Sequence, residues 1–172
     1  MNIELIAYHG TSRIAADSIL ASRKFHFSNK NNEWLGQGIY FYELIEKARW
    51  WSNKKENPTI LKTKISVSEE KYVNFDVPEE EDKLAKFIEY AQKNLIVKGF
   101  SVNKNQRRCE IFTLYARYNQ LKVVSATFDS TNKKYKAQLD SIGYKRTEKQ
   151  ICVYDNECIS YNEIEVISEE EA

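Results

Sequence analysis

Apolar residues in this chain never run for more than four positions: residues 5–8, 39–42 and 151–154 are the longest stretches. Runs of that length suit short strands, while elsewhere apolar residues recur three or four apart, which suits helices. A chain that mixes the two periods without a regular strand–helix–strand alternation is expected to fold as α+β. The same runs fall far short of the ~20 apolar residues that cross a bilayer, so neither a membrane span nor a membrane partner is expected. Glu4 interrupts the first apolar stretch and no basic start precedes it, so the first residues do not read as a signal peptide and a cytoplasmic location is expected. With 172 residues, 42% apolar side chains, five Gly and two Pro, the chain has core enough for one domain over 1–172 and no obvious linker to divide it. Twenty-six basic against 25 acidic side chains leave a formal net charge of +1. An anionic partner must then be held by a local patch rather than by the field of the whole protein. Three cysteines, at 109, 152 and 158, and two histidines offer no familiar metal-ligand spacing and no even disulfide set. They read as reduced, packed thiols, and no metal is expected.

Residues 3–8 read as a strand, His9-Gly10-Thr11-Ser12 as a turn, and the next segment as a helix that Thr11 or Ser12 caps. That helix is expected to bury Ile14, Ala15, Ile19 and Leu20 and to fade near Arg23. After a polar loop over 29–33, Gly36-Gln37-Gly38 leads into an aromatic strand over 39–42. Glu43 opens a second helix with Leu44, Ala48 and Trp51 on one face, ended by Asn57-Pro58. Strands are expected over 59–66 and 72–75. Asp76 and Glu79 make a capping-box-like start for a helix whose stripe is Leu84, Phe87, Ile88, Ala91 and Leu95, with Gly99 as its C-terminal cap. Residues 107–118 read as a helix burying Ile111, Leu114, Tyr115 and Tyr118, with a strand over 111–115 as the alternative. Strands over 123–128, 150–154 and 163–167 precede an acidic tail at Glu169, Glu170 and Glu171.

Two clusters could carry chemistry. At the first turn, a His ring, a glycine backbone open to close approach and two hydroxyls meet at one point, a geometry able to clamp a flat amide; a turn that merely ends a strand is the alternative. At the second, Tyr40 follows a glycine-flanked turn and Trp51 lies eleven residues on, so two large rings could face one another across a planar ligand. For Trp50 and Phe41 an ordinary aromatic core is the expectation.

Tyr8-His9-Gly10-Thr11 with Ile19-Leu20, Leu35-Gly36-Gln37-Gly38-Ile39-Tyr40-Phe41 with Lys47-Ala48 and Trp51, and the block of residues 150–155 together resemble the NAD-binding core of ADP-ribosyltransferases of the poly(ADP-ribose) polymerase and diphtheria-toxin type. The resemblance spans residues 8–155 through three short blocks. It implies split antiparallel β-sheets with flanking helices, and NAD+ as substrate. It also implies that His9 hydrogen-bonds a hydroxyl of the nicotinamide ribose, that the backbone of Gly10 pairs with the carboxamide with help from the Thr11 hydroxyl, that Tyr40 stacks on the nicotinamide ring, and that Trp51 supplies a second stacking aromatic. Ala48 stands where many members have a Ser that also bonds the carboxamide. Gln150 stands in the place of the catalytic Glu.

An amide can orient the ribose but cannot be a base, so single transfer is expected rather than chain elongation. Glu148, two residues earlier on the same strand face, is a candidate for the missing carboxylate; a solvated strand-edge charge is the alternative. The resemblance thus implies an NAD+-dependent mono-ADP-ribosyltransferase acting on a protein or RNA acceptor, similar to the small toxins of toxin–antitoxin and phage-defence systems, with an antitoxin as a further partner. Two other readings keep the fold: an NAD+-dependent RNA 2′-phosphotransferase, and a catalytically silent NAD+-binding module. Lys104, Arg107 and Arg108 form one basic cluster. Lys133, Lys134, Lys136, Lys145 and Arg146, interleaved with Tyr135 and Tyr144, form another. Either could be an RNA footprint or solvated loops.

Overall fold

The structure is a computed structural model that describes residues 1–94 and 100–167. Leu95, Gly99 and the acidic tail lie outside the described residues. Seven strands form one mixed sheet: β1 (Asn2–Ser12), β2 (Ile39–Tyr42), β3 (Pro58–Ser68), β4 (Tyr72–Asn74), β5 (Val123–Asp129), β6 (Thr147–Val153) and β7 (Glu165–Ile167), in the spatial order β4-β5-β6-β2-β1-β3-β7. Among the described residues five α-helices flank it: α1 (Arg13–Ser22), α2 (Ile45–Ser52), α3 (Pro78–Lys93), α4 (Lys104–Tyr118) and α5 (Lys136–Asp140). The class is α+β. The expectation of separate, purely antiparallel sheets needs correcting: the described strands share one sheet, and β4 runs parallel to β5.

That sheet is nevertheless tight in two halves and thin between them. On one side β1 pairs with β3 along all of residues 2–12; on the other β6 pairs with β5 over seven positions and with β2 over four. The halves meet through a single register pair, Tyr8↔Tyr42. Continuing that antiparallel register would set Gly10 opposite Tyr40, but no such pair forms. The strands splay instead, and a cleft opens at the fork.

Alternation along the strands divides the core by face. Ile151 and Val153 of β6 join Ala7, Ile19, Phe25, Phe41, Leu61 and Ile65 on one side, while Cys152 joins Leu35, Phe75, Phe87, Phe112 and Tyr115 on the other. Aromatic edges lock the first layer, with Phe25 and Phe41 at 5.2 Å and 62°. Full burial of rings of this size contributes roughly 1.5–3 kcal/mol each. The second layer packs under α3 and α4, where Phe87 meets Tyr115 edge-on at 5.2 Å. All three cysteines are buried and unpaired.

Several local expectations are corrected. His9-Gly10-Thr11-Ser12 is not a turn: it continues β1, because Leu61, Ile60, Thr59 and Pro58 of β3 remain paired with it. Ser12 then caps α1 directly, its Oγ accepting from Ala15 N, and Arg23 in the left-handed region ends the helix. Ile14 points to solvent and Ala16 is buried in its stead. In α2 it is Ala48 and Ser52 that are buried; Leu44 and Trp51 are exposed. The helix ends at Ser52, and Asn57-Pro58 instead enters β3. Asp76 does not cap α3, which starts at Pro78 with no side-chain cap; its carboxylate accepts from the Thr127 N–H and hydroxyl and ties β4 to β5. Residues 111–115 are helical, within an α4 that Asn103 caps, and Tyr118 is exposed. Gln150 sits in the middle of its strand, not at its start, because β5 holds the preceding residues from Thr147 on.

Gly10 is where packing leaves no choice. A Cβ there would collide with the Ala48 carbonyl oxygen and lie 3.2 Å from Ser52 Cβ, so α2 rests directly on the β1 backbone. Gly10→Ala is expected to destabilise the fold by about 1–3 kcal/mol, the usual cost of overpacking, read as a lower urea midpoint; an unchanged midpoint would mean that α2 moves away freely.

Candidate active site

At the fork lies a cleft of about 390 Å³, lined by His9 and Gly10 from β1, Tyr40 and Tyr42 from β2, Trp51 from α2 and Glu148 and Gln150 from β6, with Trp34 among the loop residues closing it. Four elements thus bring together six of the seven residues singled out in sequence. The seventh, Thr11, does not border this cleft. It lines a second hollow of about 500 Å³ with Ser18 and Phe25, and His9 and His26 border both. The placement follows from strand period: Thr11 lies two residues from His9 and so on the same face, whereas Gly10 lies on the other.

His9 bridges the two strands at the fork. Its Nδ1 donates to the Tyr40 carbonyl at 2.8 Å. A carbonyl only accepts, so Nδ1 carries a proton, and in the neutral ring Nε2 then keeps its lone pair. The side chain thereby takes a β2 carbonyl at the position where the β1 ladder stops. The ring packs edge-on to Phe25 at 5.1 Å and tilted against Phe41 at 5.6 Å. Burial pulls the imidazole pKa below its usual 6.5; the Tyr40 carbonyl opposes this and the charge of Lys55 adds to it. The residue is a neutral hydrogen-bonding ring at neutral pH.

Tyr40 lines the cleft while its phenol is engaged, donating to Gly36 O at 2.6 Å and accepting from Leu35 N at 2.8 Å. Burial, above all, raises its pKa far beyond the ordinary phenol range, so the ring acts as a surface and an anchor, not as a base. The 35–38 segment it holds is seated on α4: Gly36 has φ +84°, a Cβ there would lie 2.7 Å from Thr113 Oγ1, and Gln37 N donates to that oxygen at 3.1 Å. Among the described aromatic pairs Tyr40 and Trp51 do not stack on one another. Trp51 is 38% exposed at the rim, with Lys54 Nζ 4.9 Å from its ring.

Glu148 is the principal surprise of β6. It is only 4% exposed, so the surface-charge alternative is wrong: the carboxylate faces the cleft with Gln150 beside it. Its Oε2 accepts from Ser130 Oγ at 2.8 Å and its Oε1 from Gln150 Nε2 at 3.2 Å. Gln150 therefore donates its amide to the carboxylate and keeps its carbonyl oxygen for other partners. Tyr42, two residues after Tyr40 and on the same strand face, is pushed up by burial first and by the nearby Glu148 charge second. Strand period alone could have flagged Tyr42. Nothing local in the sequence points to Ser130 or Trp34, which reach the site from loops.

Trp34 meets Phe128 edge-on at 4.8 Å, and the Arg108 guanidinium lies 5.1 Å from the Trp34 ring and 5.7 Å from the Phe128 ring. Arg108 is thus withdrawn from the basic cluster read at 104–108 and stands behind the cleft wall, its Nε without a hydrogen-bond partner among the described residues. Another depression, of about 520 Å³, lies between α4 and residues 27–29 and gathers no comparable set of groups. Among the described residues no group of three or more His, Cys, Asp or Glu is arranged to hold a metal ion, and no helix is long and apolar enough to cross a membrane.

No protein-family model matches the chain. It is 38% identical over 88 residues to an uncharacterized protein of Methanocaldococcus jannaschii, a match covering 48% of this chain and 41% of that protein. The chain therefore spans about two fifths of the length of this relative, and the match carries no chemistry of its own.

Burial of the His9 ring links stability to pH. The unfolded chain takes up a proton near pH 6.5 that the folded chain refuses, so this contribution is complete above that pH and falls away as the pH drops below it. The urea midpoint is expected to be flat from pH 7.5 to 8.5 and to decline from 6.5 toward 5.5, with a shallower decline in His9→Gln. Equal slopes for the two proteins would contradict a buried neutral His9.

Proposed function

We propose that this protein is an NAD+-dependent mono-ADP-ribosyltransferase. The observation that supports the reading is the convergence of His9, Tyr40, Trp51, Glu148 and Gln150, distant in sequence, on one cleft that contains a buried carboxylate. The nicotinamide ring would lie against the Tyr40 face, with the Gly10 backbone beside it on the stretch of β1 beyond Tyr8 that β2 leaves unpaired. The two hollows that meet at His9 and His26 offer length for an extended dinucleotide, its far half running past Thr11 and Ser18. Ala48 is fully buried on the face of α2 that rests against β1, so it has no hydroxyl or surface to offer the carboxamide.

In the reaction the bond between nicotinamide and ribose C1′ breaks and nicotinamide leaves with the bonding pair. The acceptor nucleophile forms the new bond at C1′ and gives up its proton. Glu148 would stabilise positive charge building on the ribose and receive that proton; Gln150, tethered to it, would hold the sugar by its free carbonyl oxygen. In this arrangement the acid function sits at 148 and the amide at 150 is a positioning group. The proposed biological setting is that of a toxin restrained by an antitoxin.

The test uses NAD+ labelled in its adenylate phosphate, incubated with the protein and cell lysate. Label on a macromolecule and matching nicotinamide release are expected, with Tyr40→Ala inactive. Glu148→Gln is expected to lower the transfer rate by about 10²–10⁴-fold, the range for loss of a general base, while changing the Kd for NAD+ less than threefold. NAD+ binding without nicotinamide release in any lysate would identify a silent binding module instead, and release of ADP-ribose cyclic phosphate from a 2′-phosphorylated RNA would identify a phosphotransferase.

A further inference from the structure

The segment joining β5 to β6 carries features that the cleft does not use. Residues 129–146 fold back on themselves, with Ser130 N donating to Arg146 O at 2.8 Å and Tyr144 N to Leu139 O at 3.0 Å. Within this loop is a hollow of about 170 Å³ whose lining holds five cations, Lys133, Lys134, Lys136, Lys145 and Arg146, against two carboxylates, Asp129 and Asp140. Asp140 is paired with Lys136 and Asp129 with Lys145, which leaves Lys133, Lys134 and Arg146 without an ion-pair partner among the described residues. In a protein of net charge +1 this is a strong local concentration. Tyr144 lines it and is 61% exposed, and Tyr135, 58% exposed, lies in the same loop with Lys134 Nζ 5.1 Å from its ring. Exposed rings among uncompensated cations are the combination that binds a single nucleic-acid strand: phosphates to the cations, bases on the rings.

The hollow is also coupled to the cleft. Ser130 lines the hollow and donates to Glu148 Oε2, and the adjoining Thr131 lines the cleft. A strand anchored at 133–146 would pass close to the carboxylate. We infer that this loop is a binding site for the phosphodiester backbone of single-stranded nucleic acid. It rests on the transferase reading only for what the strand is brought to, namely Glu148 and the ribose beside it. The other basic cluster is divided: Arg108 is withdrawn behind Trp34, and Arg107 reaches the Ser101 carbonyl, so it forms no continuous rival surface.

Binding is measured on the full chain without NAD+, by fluorescence anisotropy with a fluorescein-labelled 20-nucleotide single-stranded RNA of mixed sequence. The triple variant Lys133→Gln/Lys134→Gln/Arg146→Gln is expected to weaken binding at least tenfold and to reduce the slope of log Kd against log salt by about 2, at roughly 0.7 per lost phosphate contact. The control Lys86→Gln/Lys93→Gln/Arg117→Gln, at exposed positions on α3 and α4, is expected to change Kd less than threefold. Unchanged NAD+ affinity in the triple variant shows that it folds. No binding by the wild-type chain, equal loss in both variants, or equally tight triple-dependent binding of poly-glutamate would overturn the assignment. A protein that binds the strand but transfers nothing from NAD+ would leave this site standing and remove the transferase reading.

Discussion

The hydrogen bond from His9 Nδ1 to the Tyr40 carbonyl is the hinge on which the architecture turns. Beyond the single Tyr8↔Tyr42 pair, β1 and β2 would ordinarily zip together, burying Gly10 against Tyr40 and leaving no cleft. The imidazole accepts the burden of one β2 carbonyl, so the two strands can part without leaving that group unsatisfied. The ring does this through its Nδ1–H, and burial among Phe25 and Phe41 favours the neutral tautomer over the imidazolium. A buried polar group and an opening in the sheet are two aspects of one contact.

From that fork the remaining site follows by packing. Gly10 lets α2 settle on the β1 backbone, which brings Trp51 to the rim. The Tyr40 phenol, tied to residues 35 and 36, fixes the plane of its ring and joins the loop to β2, while Thr113 fixes the same loop to α4. Across the cleft, Glu148 is held at both oxygens, one by β6 itself through Gln150 and one by the β5–β6 connection through Ser130. Such double tethering preorganises a carboxylate at the point where charge would develop during transfer from NAD+.

Much of this was legible in the residues and some was not. Strands announced themselves by short apolar runs, and β1, β2 and β6 each contain or overlap one of them, while alternation marks β3. The His9 segment reads as a turn because Gly, Thr and Ser favour turns locally, but the long-range ladder with β3 overrides that preference. Asp76 misled for a similar reason: a residue with capping chemistry found stronger partners on Thr127, across the sheet. The burial of Glu148 could not be read from its neighbours. It depends on Ser130 and on the loop folding over it, contacts between residues eighteen positions apart. Thr11, adjacent to Gly10 in sequence, lines a different hollow because strand geometry sends successive side chains to opposite faces.

A crystal structure of the protein with NAD+ tests the central claim most directly. The account requires the nicotinamide ring against the Tyr40 face, the His9 imidazole still bonded to the Tyr40 carbonyl, and a Glu148 oxygen within hydrogen-bonding reach of the adjoining ribose. A dinucleotide seated elsewhere, for instance between α4 and residues 27–29, or a fork that zips shut with Gly10 paired to Tyr40, would contradict it.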